Sequence, residues 1–90
     1  MKEKIYLTVI GKNEPGIIAT LANNLQTFQL SINDITQKIL DEKFVLFMEL
    51  ESNTSLDIQH LKTHLEQNTK NFRLQIMLAH ENLFNAMHRI

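Results

Sequence analysis

The residues with metal-binding chemistry in this 90-residue sequence are four histidines, and two of them lie on a predicted helix. His60 and His64 are four positions apart, so they share one face of that helix, and such a pair can bind zinc. A structural zinc site needs further ligands, and no third ligand follows in a matching pattern. The sequence has no cysteine, which excludes disulfides, thiolate metal sites and a cysteine nucleophile. We therefore expect no metal and no cofactor, and we interpret His60 and His64 as exposed residues beside Leu61 and Leu65. The other two histidines, His80 and His88, flank the last predicted helix, where we expect a structural or surface role.

Carboxylates are the remaining candidates for acid–base catalysis. Asp34, Asp41 and Glu42 lie on or beside a predicted hairpin, and Glu49 and Glu51 end an apolar strand. Catalysis requires such groups to converge with a nucleophile or base in one pocket. No pattern in the sequence indicates that convergence, and solvated charge is the simpler role. We predict that the chain is not an enzyme.

The stretch GKNEPG, residues 11–16, has the residue types of an anion-binding turn. It contains the only two glycines and the only proline of the chain. Pro15 suits the first helical position because its missing N–H has no partner there. Gly16 permits close approach of a ligand, and Asn13 is a plausible helix cap. Free N–H groups and the helix dipole would then favour a carboxylate. On the residue types alone, however, a strand-to-helix turn without a ligand is the simpler interpretation.

The elements around this turn follow from hydrophobic periodicity. Residues 4–10 are apolar on nearly both faces, which predicts a central strand. Residues 16–28 have apolar side chains three and four positions apart, which predicts a helix with one buried stripe. Residues 30–40 and 43–51 predict two strands joined as a hairpin. The strand at 43–51 supplies apolar side chains to both faces of the sheet, with Phe44, Leu46 and Met48 on one and Val45 and Phe47 on the other.

The second half of the chain repeats the pattern of helix then strand. Ser, Asn and Thr at residues 52–56 are good caps for a second helix that contains Ile58, Leu61 and Leu65. Residues 72–78 alternate as a fourth strand, and the tail at 81–90 predicts a short helix with an apolar face of Leu83, Phe84, Met87 and Ile90. The order predicts an α+β, ferredoxin-like βαββαβ sandwich: a four-stranded antiparallel sheet with two helices on one face. We expect residues 1–90 to form one domain, with 81–90 as a C-terminal helical extension.

Composition and charge limit the partners. Nine basic and ten acidic residues give a net charge of −1, so we expect no nucleic-acid binding. No apolar run approaches the roughly 20 residues of a membrane helix, and the N-terminus lacks signal-peptide features, so we expect a cytoplasmic protein without membrane contact. A small core without disulfides or metal is often reinforced by association, which predicts an oligomer.

The turn and the second strand resemble the ACT domain family. GKNEPGI at residues 11–17 is similar to the family's first loop, where G-x-D/N-x-P-G-I joins the first strand to the first helix. LSINDITQ at residues 30–37 is similar to its second-strand pattern N-I-x-D-I-x-Q. The tail LFNAMHRI resembles the ending of a small stand-alone bacterial ACT group, so the resemblance covers nearly the whole chain. It implies a regulatory homodimer that binds a small molecule, an amino acid in many members, with subunits paired edge to edge or face to face.

The resemblance also implies where a ligand binds, since an amino acid often lies where the first loop of one subunit meets the second strand of the other. The matching residues are Gly11, Asn13, Pro15, Gly16, Ile17, Ser31, Ile32 and Asn33. Two positions depart from the family: Ser31 stands where Asn is frequent, and Gln29 where Gly is frequent. We expect Gln29 to narrow the pocket or alter the loop. The alternative function is a dimerisation or adaptor module that binds a protein partner and no ligand.

Overall fold

A computed structural model describes residues 3–81 of the chain. The predicted βαββαβ order and ferredoxin-like architecture are confirmed. Residues 82–90 of the predicted C-terminal helix lie outside the described residues. The elements are β1 (Glu3–Lys12), α1 (Ile17–Thr27), β2 (Ser31–Leu40), β3 (Lys43–Ser52), α2 (Ile58–Asn68), a short 3-10 helix (Lys70–Phe72) and β4 (Gln75–His80).

The four strands form one antiparallel sheet in the order β2-β3-β1-β4. Strand β1 is central, as its two apolar faces predict, and it pairs with β3 along its whole length, from Glu3 opposite Ser52 to Lys12 opposite Lys43. Strand β4 pairs with the other side of β1. The two edges of the sheet are therefore β2 and β4.

The hydrophobic core lies between the two helices and one face of the sheet. Alternate residues of β1 and β3 are fully or almost fully buried against helix residues spaced three and four apart, and burying one such side chain contributes about 1.5–3 kcal/mol. The predicted division of β3 is confirmed, because Phe44, Leu46 and Met48 are buried while Val45 and Phe47 are partly exposed on the other face. The core residues are Ile5, Leu7, Val9, Ile17, Leu21, Leu25, Leu30, Phe44, Leu46, Met48, Leu50, Leu61, Leu65 and Ile76.

Strand β2 differs from the other strands because all ten of its residues are exposed. Ile32, Ile35 and Ile39 lie opposite buried residues of β3, which places them on the helix-covered face, yet they are 41–48% exposed. A β-bulge at Asn33 inserts one residue between Ile32 and Asp34, so Ile32 and Ile35 share a face although they are three positions apart. The bulge therefore places Ile32 in one row with Ile35 and Ile39, interrupted only by Gln37, and the helices leave this row uncovered.

Two predicted element boundaries are wrong. Strand β4 begins at Gln75 and not at Phe72, because residues 70–72 form a 3-10 turn and Arg73 adopts a left-handed conformation with φ of 54°. Helix α2 is capped by Asp57 and not by residues 52–56. The Asp57 carboxylate accepts hydrogen bonds from the backbone N–H groups of Gln59 at 3.1 Å and His60 at 3.3 Å.

Candidate functional site

Helix α1 starts without a side-chain cap. Its N-cap is Gly16, with φ of 89° and ψ of −4°, and its first backbone hydrogen bond runs from Thr20 N–H to the Gly16 carbonyl at 3.0 Å. The N–H groups of Ile17, Ile18 and Ala19 therefore have no acceptor within the helix, and its first turn has no acidic residue. The positive end of the helix dipole and three free donors make this end suited to an anion.

Two details predicted for this loop are wrong. Pro15 precedes the N-cap and is not the first helical residue, because the left-handed backbone of Gly16 delays helical geometry until Ile17. Asn13 does not cap the helix. Its backbone N–H instead donates to the Glu42 carbonyl at 2.8 Å, which ties the loop to the turn between β2 and β3.

Of the remaining first-loop residues, some pack against the rest of the domain and others are exposed to solvent. A Cβ atom at Gly11 would lie 2.7 Å from Leu74 Cδ2, so a larger residue there would have to displace the end of the Leu74 side chain. Ile17 is 1% exposed and belongs to the core. Asn13, Pro15 and Gly16 are exposed. The accessible part of the predicted first loop is thus the stretch from Asn13 to Gly16, directly before α1.

Ser31, Ile32 and Asn33 lie at the start of β2, beside the end of β3. Asn33 Nδ2 donates to Glu51 Oε1 at 3.1 Å and to Glu49 Oε2 at 3.4 Å. Its amide therefore contacts two acids of its own chain on the face of the sheet away from the helices. Ile32, opposite the buried Leu50, belongs to the helix-covered face.

A single chain does not bring the two parts of the predicted site together. Gly11 pairs with Phe44, whereas Ser31 pairs with Glu51. Phe44 and Glu51 are seven positions apart on β3, which corresponds to about 23 Å at about 3.3 Å per residue. A site that uses both parts requires a second chain, as the family resemblance implies.

Gln29 has a structural role at the other end of α1. The N–H of Gln29 bonds to the Gln26 carbonyl at 2.9 Å, and the N–H of Leu30 bonds to the Leu25 carbonyl at 3.3 Å. These two bonds form a Schellman motif, whose αL position is usually glycine. Gln29 occupies it with φ of 57° and an exposed side chain. The replacement of the family's glycine by Gln29 thus affects the C-terminal cap of α1.

The two histidines have a packing role that the sequence interpretation missed. The rings of His60 and His64 meet the ring of Phe28 edge-on, with centroid distances of 5.4 Å and 5.1 Å. Phe28, the aromatic residue at the end of α1, is the sequence feature that indicates such a contact. Its partners could not be identified from the sequence, because they depend on how α1 and α2 pack. Among residues 3–81 no three His, Cys, Asp or Glu side chains cluster as a metal site would require. No helix in the same range has the length and apolar character to cross a membrane.

Comparisons with known proteins agree with this architecture. A family model described as ACT domain matches residues 3–79. A UPF0237 protein of Methanocaldococcus jannaschii is 34% identical over 88 residues, which cover 97% of this chain and 98% of that protein. The solved structure of an ACT domain protein from Streptococcus pneumoniae superposes with a TM-score of 0.83 at 29% identity, covering 96% of this chain and 98% of the other. The regulatory subunit of aspartate kinase from Thermus thermophilus, in its ligand-free form, shares the fold with a TM-score of 0.67 at 16% identity, over 86% of this chain and 50% of that one. The chain is a member of the ACT domain family.

Proposed function

We propose that the protein is a regulatory domain that binds an amino acid between two copies of itself and performs no chemistry. The observation that carries the proposal is the exposed edge strand β2, together with the distance of about 23 Å that separates the two parts of the site within one chain. The family match and the regulatory subunit that shares the fold support a regulatory role.

Strand β2 has the features of an interface strand. No other strand within residues 3–81 pairs with its outer edge, and the backbone donors and acceptors of such an edge favour pairing with another strand. The exposed row of Ile32, Ile35 and Ile39 lies beside that edge, so pairing would also remove apolar surface from water. Antiparallel pairing of β2 with β2 of a second copy, around a two-fold axis, satisfies both requirements with one surface.

This pairing also assembles the site. If the axis passes through Thr36, near the middle of the strand, Thr36 lies opposite the same residue of the second copy. Because Asn33 is bulged out of the register, Ser31 of one copy then lies opposite Leu40 of the other. Leu40 leads into the turn whose Glu42 carbonyl holds the backbone of Asn13. The start of β2 in one copy is thereby brought towards the first loop of the second copy, and symmetry creates two such sites per dimer.

Different groups at this junction bind the carboxylate and the ammonium group of an amino acid. The N–H groups of Ile17, Ile18 and Ala19 are the donors for its carboxylate, assisted by the helix dipole. The side-chain oxygen of Asn13 and the backbone carbonyls near Ser31 and Ile32 of the other copy are the acceptors for its ammonium group, and such charge-assisted bonds are stronger than neutral ones.

The variant Gly16→Val tests the ligand site. A Cβ at Gly16 meets only Phe72 Cζ, at 3.8 Å, so there is space for the side chain. The left-handed backbone nevertheless costs a residue with a Cβ about 1–2 kcal/mol, which a domain of typical stability tolerates. We expect a folded variant that no longer binds the amino acid identified for the wild type by a thermal-shift screen and calorimetry. Gly16→Asn is the control, because Asn tolerates this backbone region better, and it should retain more affinity.

Light scattering on the same samples tests the assembly. We expect the wild type to be associated and Ile35→Glu, which charges the edge row, to lose both β2 pairing and ligand binding. Unchanged affinity of Gly16→Val for the confirmed ligand contradicts the proposed site. A stable dimer that responds to no amino acid favours the dimerisation or adaptor module instead.

A further inference from the structure

The face of the sheet away from the two helices, called here the open face, has an apolar centre. The rings of Tyr6 on β1 and Phe47 on β3 stack there with centroids 5.6 Å apart and an interplanar angle of 17°. Met77 on β4, opposite Thr8 on the same face, is 42% exposed. Helices α1 and α2 pack on the other side of the sheet, so neither of them covers this apolar surface.

Acids border the apolar centre at one end of the open face. Glu49 and Glu51 of β3 and Asp34 of β2 lie on this face, beside the start of β1. The side-chain amide of Asn33 donates to Glu51 at 3.1 Å and to Glu49 at 3.4 Å, so the two carboxylates lie close together. Lys4, directly opposite Glu51, offsets only part of their negative charge. The open face therefore suits an occupant that is apolar over the two rings and cationic towards the acids of β3.

The chain leaves the sheet next to this surface. Strand β4 ends at His80, opposite Ile5 of β1, and the next residue, Glu81, is helical. Glu81 Oε2 lies 4.0 Å from Lys4 Nζ, and Lys4 belongs to the open face. The last residue that the structure describes is therefore turned towards the open face, and residues 82–90 of the sequence follow it.

We propose that residues 81–90 form a helix that crosses the open face of their own chain from β4 towards β2. The sequence predicts this helix, with Leu83, Phe84 and Met87 on one side of it. Its ten residues are about 15 Å long at about 1.5 Å per residue. The three strand spacings from β4 to β2 sum to about 14 Å at about 4.8 Å each. The segment is therefore long enough to reach across the sheet with its apolar side on the stacked rings.

The handedness of the fold decides which end of the sheet the polar flank of this helix faces. Crossovers between parallel strands are right-handed, which fixes the strand order as seen from the open face. With Met87 against the sheet, the next residue, His88, is turned by about 100° towards the acidic end. It lies about 10 Å along the helix, which places it over β3 and beside Glu49 and Glu51. Arg89, about another 100° around the helix, points away from the sheet.

A helix that runs back along β4 satisfies fewer of these contacts. It covers Met77 but leaves Phe47 and the two carboxylates of β3 uncovered. The crossing direction removes both rings from water, and burial of apolar surface is the main stabilising force. It also brings a histidine to the two carboxylates, and nearby negative charge favours the protonated imidazole.

The covered open face limits how two copies of the chain can associate. The helix lies over the strands and leaves the outer edge of β2 accessible, so the proposal neither requires nor prevents the pairing described under the proposed function. A second copy could not pack its sheet on the same face. The β2 edge is then the exposed surface that remains for pairing of strands.

Tyr6 reports directly on this contact. It is the only tyrosine of a chain without tryptophan, so tyrosine fluorescence comes from the centre of the open face. Phe84→Asp places a charge on the apolar side of the helix. It should raise the acrylamide quenching constant of Tyr6 about twofold and lower Tm by about 5–10 °C, because apolar surface returns to water. Asn85→Asp adds the same charge on the opposite side of the helix and should change neither value.

A double-mutant cycle tests the polar contact. His88→Glu places a third carboxylate beside Glu49 and Glu51, and Glu51→Lys places a cation beside His88 and Lys4. The double variant restores opposite charges in swapped positions. Its Tm should be about 3 °C higher than the sum of the two single losses predicts, since residues in contact are not additive. Additive losses overturn the proposed crossing.

A mixing experiment separates a segment of the same chain from one that a second copy supplies. Tyr6→Phe removes the fluorescence but keeps the intact segment, whereas Phe84→Asp keeps Tyr6 and lacks a docking segment. An excess of Tyr6→Phe should leave the quenching of Phe84→Asp unchanged. Protection of Tyr6 in this mixture overturns the proposal, because the segment then crosses to another molecule.

Two further results would overturn it. One is equal quenching of Tyr6 in wild type, Phe84→Asp and Met87→Asp, all checked for an intact fold by circular dichroism. The other is wild-type quenching that weakens as the protein concentration rises, because a second molecule then covers the open face. Quenching that is independent of concentration in wild type and raised in both variants supports the proposal.

Discussion

Replacing Gln29 with glycine should stabilise the protein, although it removes a whole side chain. Gln29 has φ of 57°, a backbone region that costs a residue with a Cβ about 1–2 kcal/mol. Glycine avoids this cost but loses about 0.5–1 kcal/mol through the greater freedom of its unfolded chain. The exposed Gln29 side chain has no hydrogen bond among the described residues that the change would break. The balance is a gain of about 0.5–1 kcal/mol in the free energy of unfolding.

Urea unfolding followed by circular dichroism measures this gain, and thermal unfolding should show a rise in Tm of roughly 2–8 °C for a domain of this size. Gln29→Ala is the matched control. It also removes the polar side chain but keeps the Cβ, so its free energy of unfolding should stay within about 0.5 kcal/mol of the wild type. All samples need the same protein concentration, because association raises the apparent stability.

A result in which Gln29→Gly is no more stable than Gln29→Ala would refute this reasoning. It would mean that the left-handed position stores no relievable strain. The Schellman hydrogen bonds from Gln29 and Leu30 would then account for the end of α1 without a preference for glycine.

Two further predictions concern the helix cap and the pH dependence. Asp57→Ala should lower the free energy of unfolding by about 1 kcal/mol, because the N–H groups of Gln59 and His60 lose their acceptor. In the same urea titration, Asp57→Asn should retain most of the free energy of unfolding that the cap contributes, because Asn is also a good N-cap. Equal losses in both variants would assign the effect to the charge of Asp57. The hydrogen bond from His80, followed by backbone N–H donation, lowers the pKa of Glu3 below its ordinary value of 4.5. Because the pKa of Glu3 is lower in the folded state, its ionised carboxylate stabilises the folded protein above the unfolded-state pKa, and this stabilisation is lost as the pH falls through the folded-state pKa. The difference in free energy of unfolding between wild type and Glu3→Gln should therefore shrink below about pH 4.5. A difference that stays constant from pH 6 to pH 3 would contradict this coupling.

The fold was predictable because each long element has a clear hydrophobic period. The alternation of β1 and the spacing of three and four in α1 both arise from burial on the helix-covered face, and burial of apolar surface is the main force that stabilises both elements. The start of β4 was not predictable, because Phe72 and Leu74 continue the alternation although they anchor a turn against the core. Short-range pattern alone does not separate an extended residue from a 3-10 turn that presents its apolar side chain in the same direction.

The candidate site was predictable only in part. The residue types of the first loop predict a helix start suited to an anion. The structure shows a helix start without a side-chain cap, and Asn13 does not supply one. Which residues lie near the loop depends on strand order and register, which no local pattern reports. The separation of Ser31 from Gly11 follows from the order β2-β3-β1, and that order results from packing across the entire sheet.

The exposure of β2 also has a dynamic consequence. β3 is its only hydrogen-bonded neighbour within residues 3–81, and no residue of β2 is buried, so this strand can detach from the sheet without opening the core. Local opening of this kind requires less free energy than global unfolding and is visible as rapid amide hydrogen exchange. A ligand or a second copy that bridges β2 to another chain would suppress the opening. Binding at the site would then slow amide hydrogen exchange along β2, a strand about 30 Å long, so its effect would extend well beyond the residues that contact the ligand.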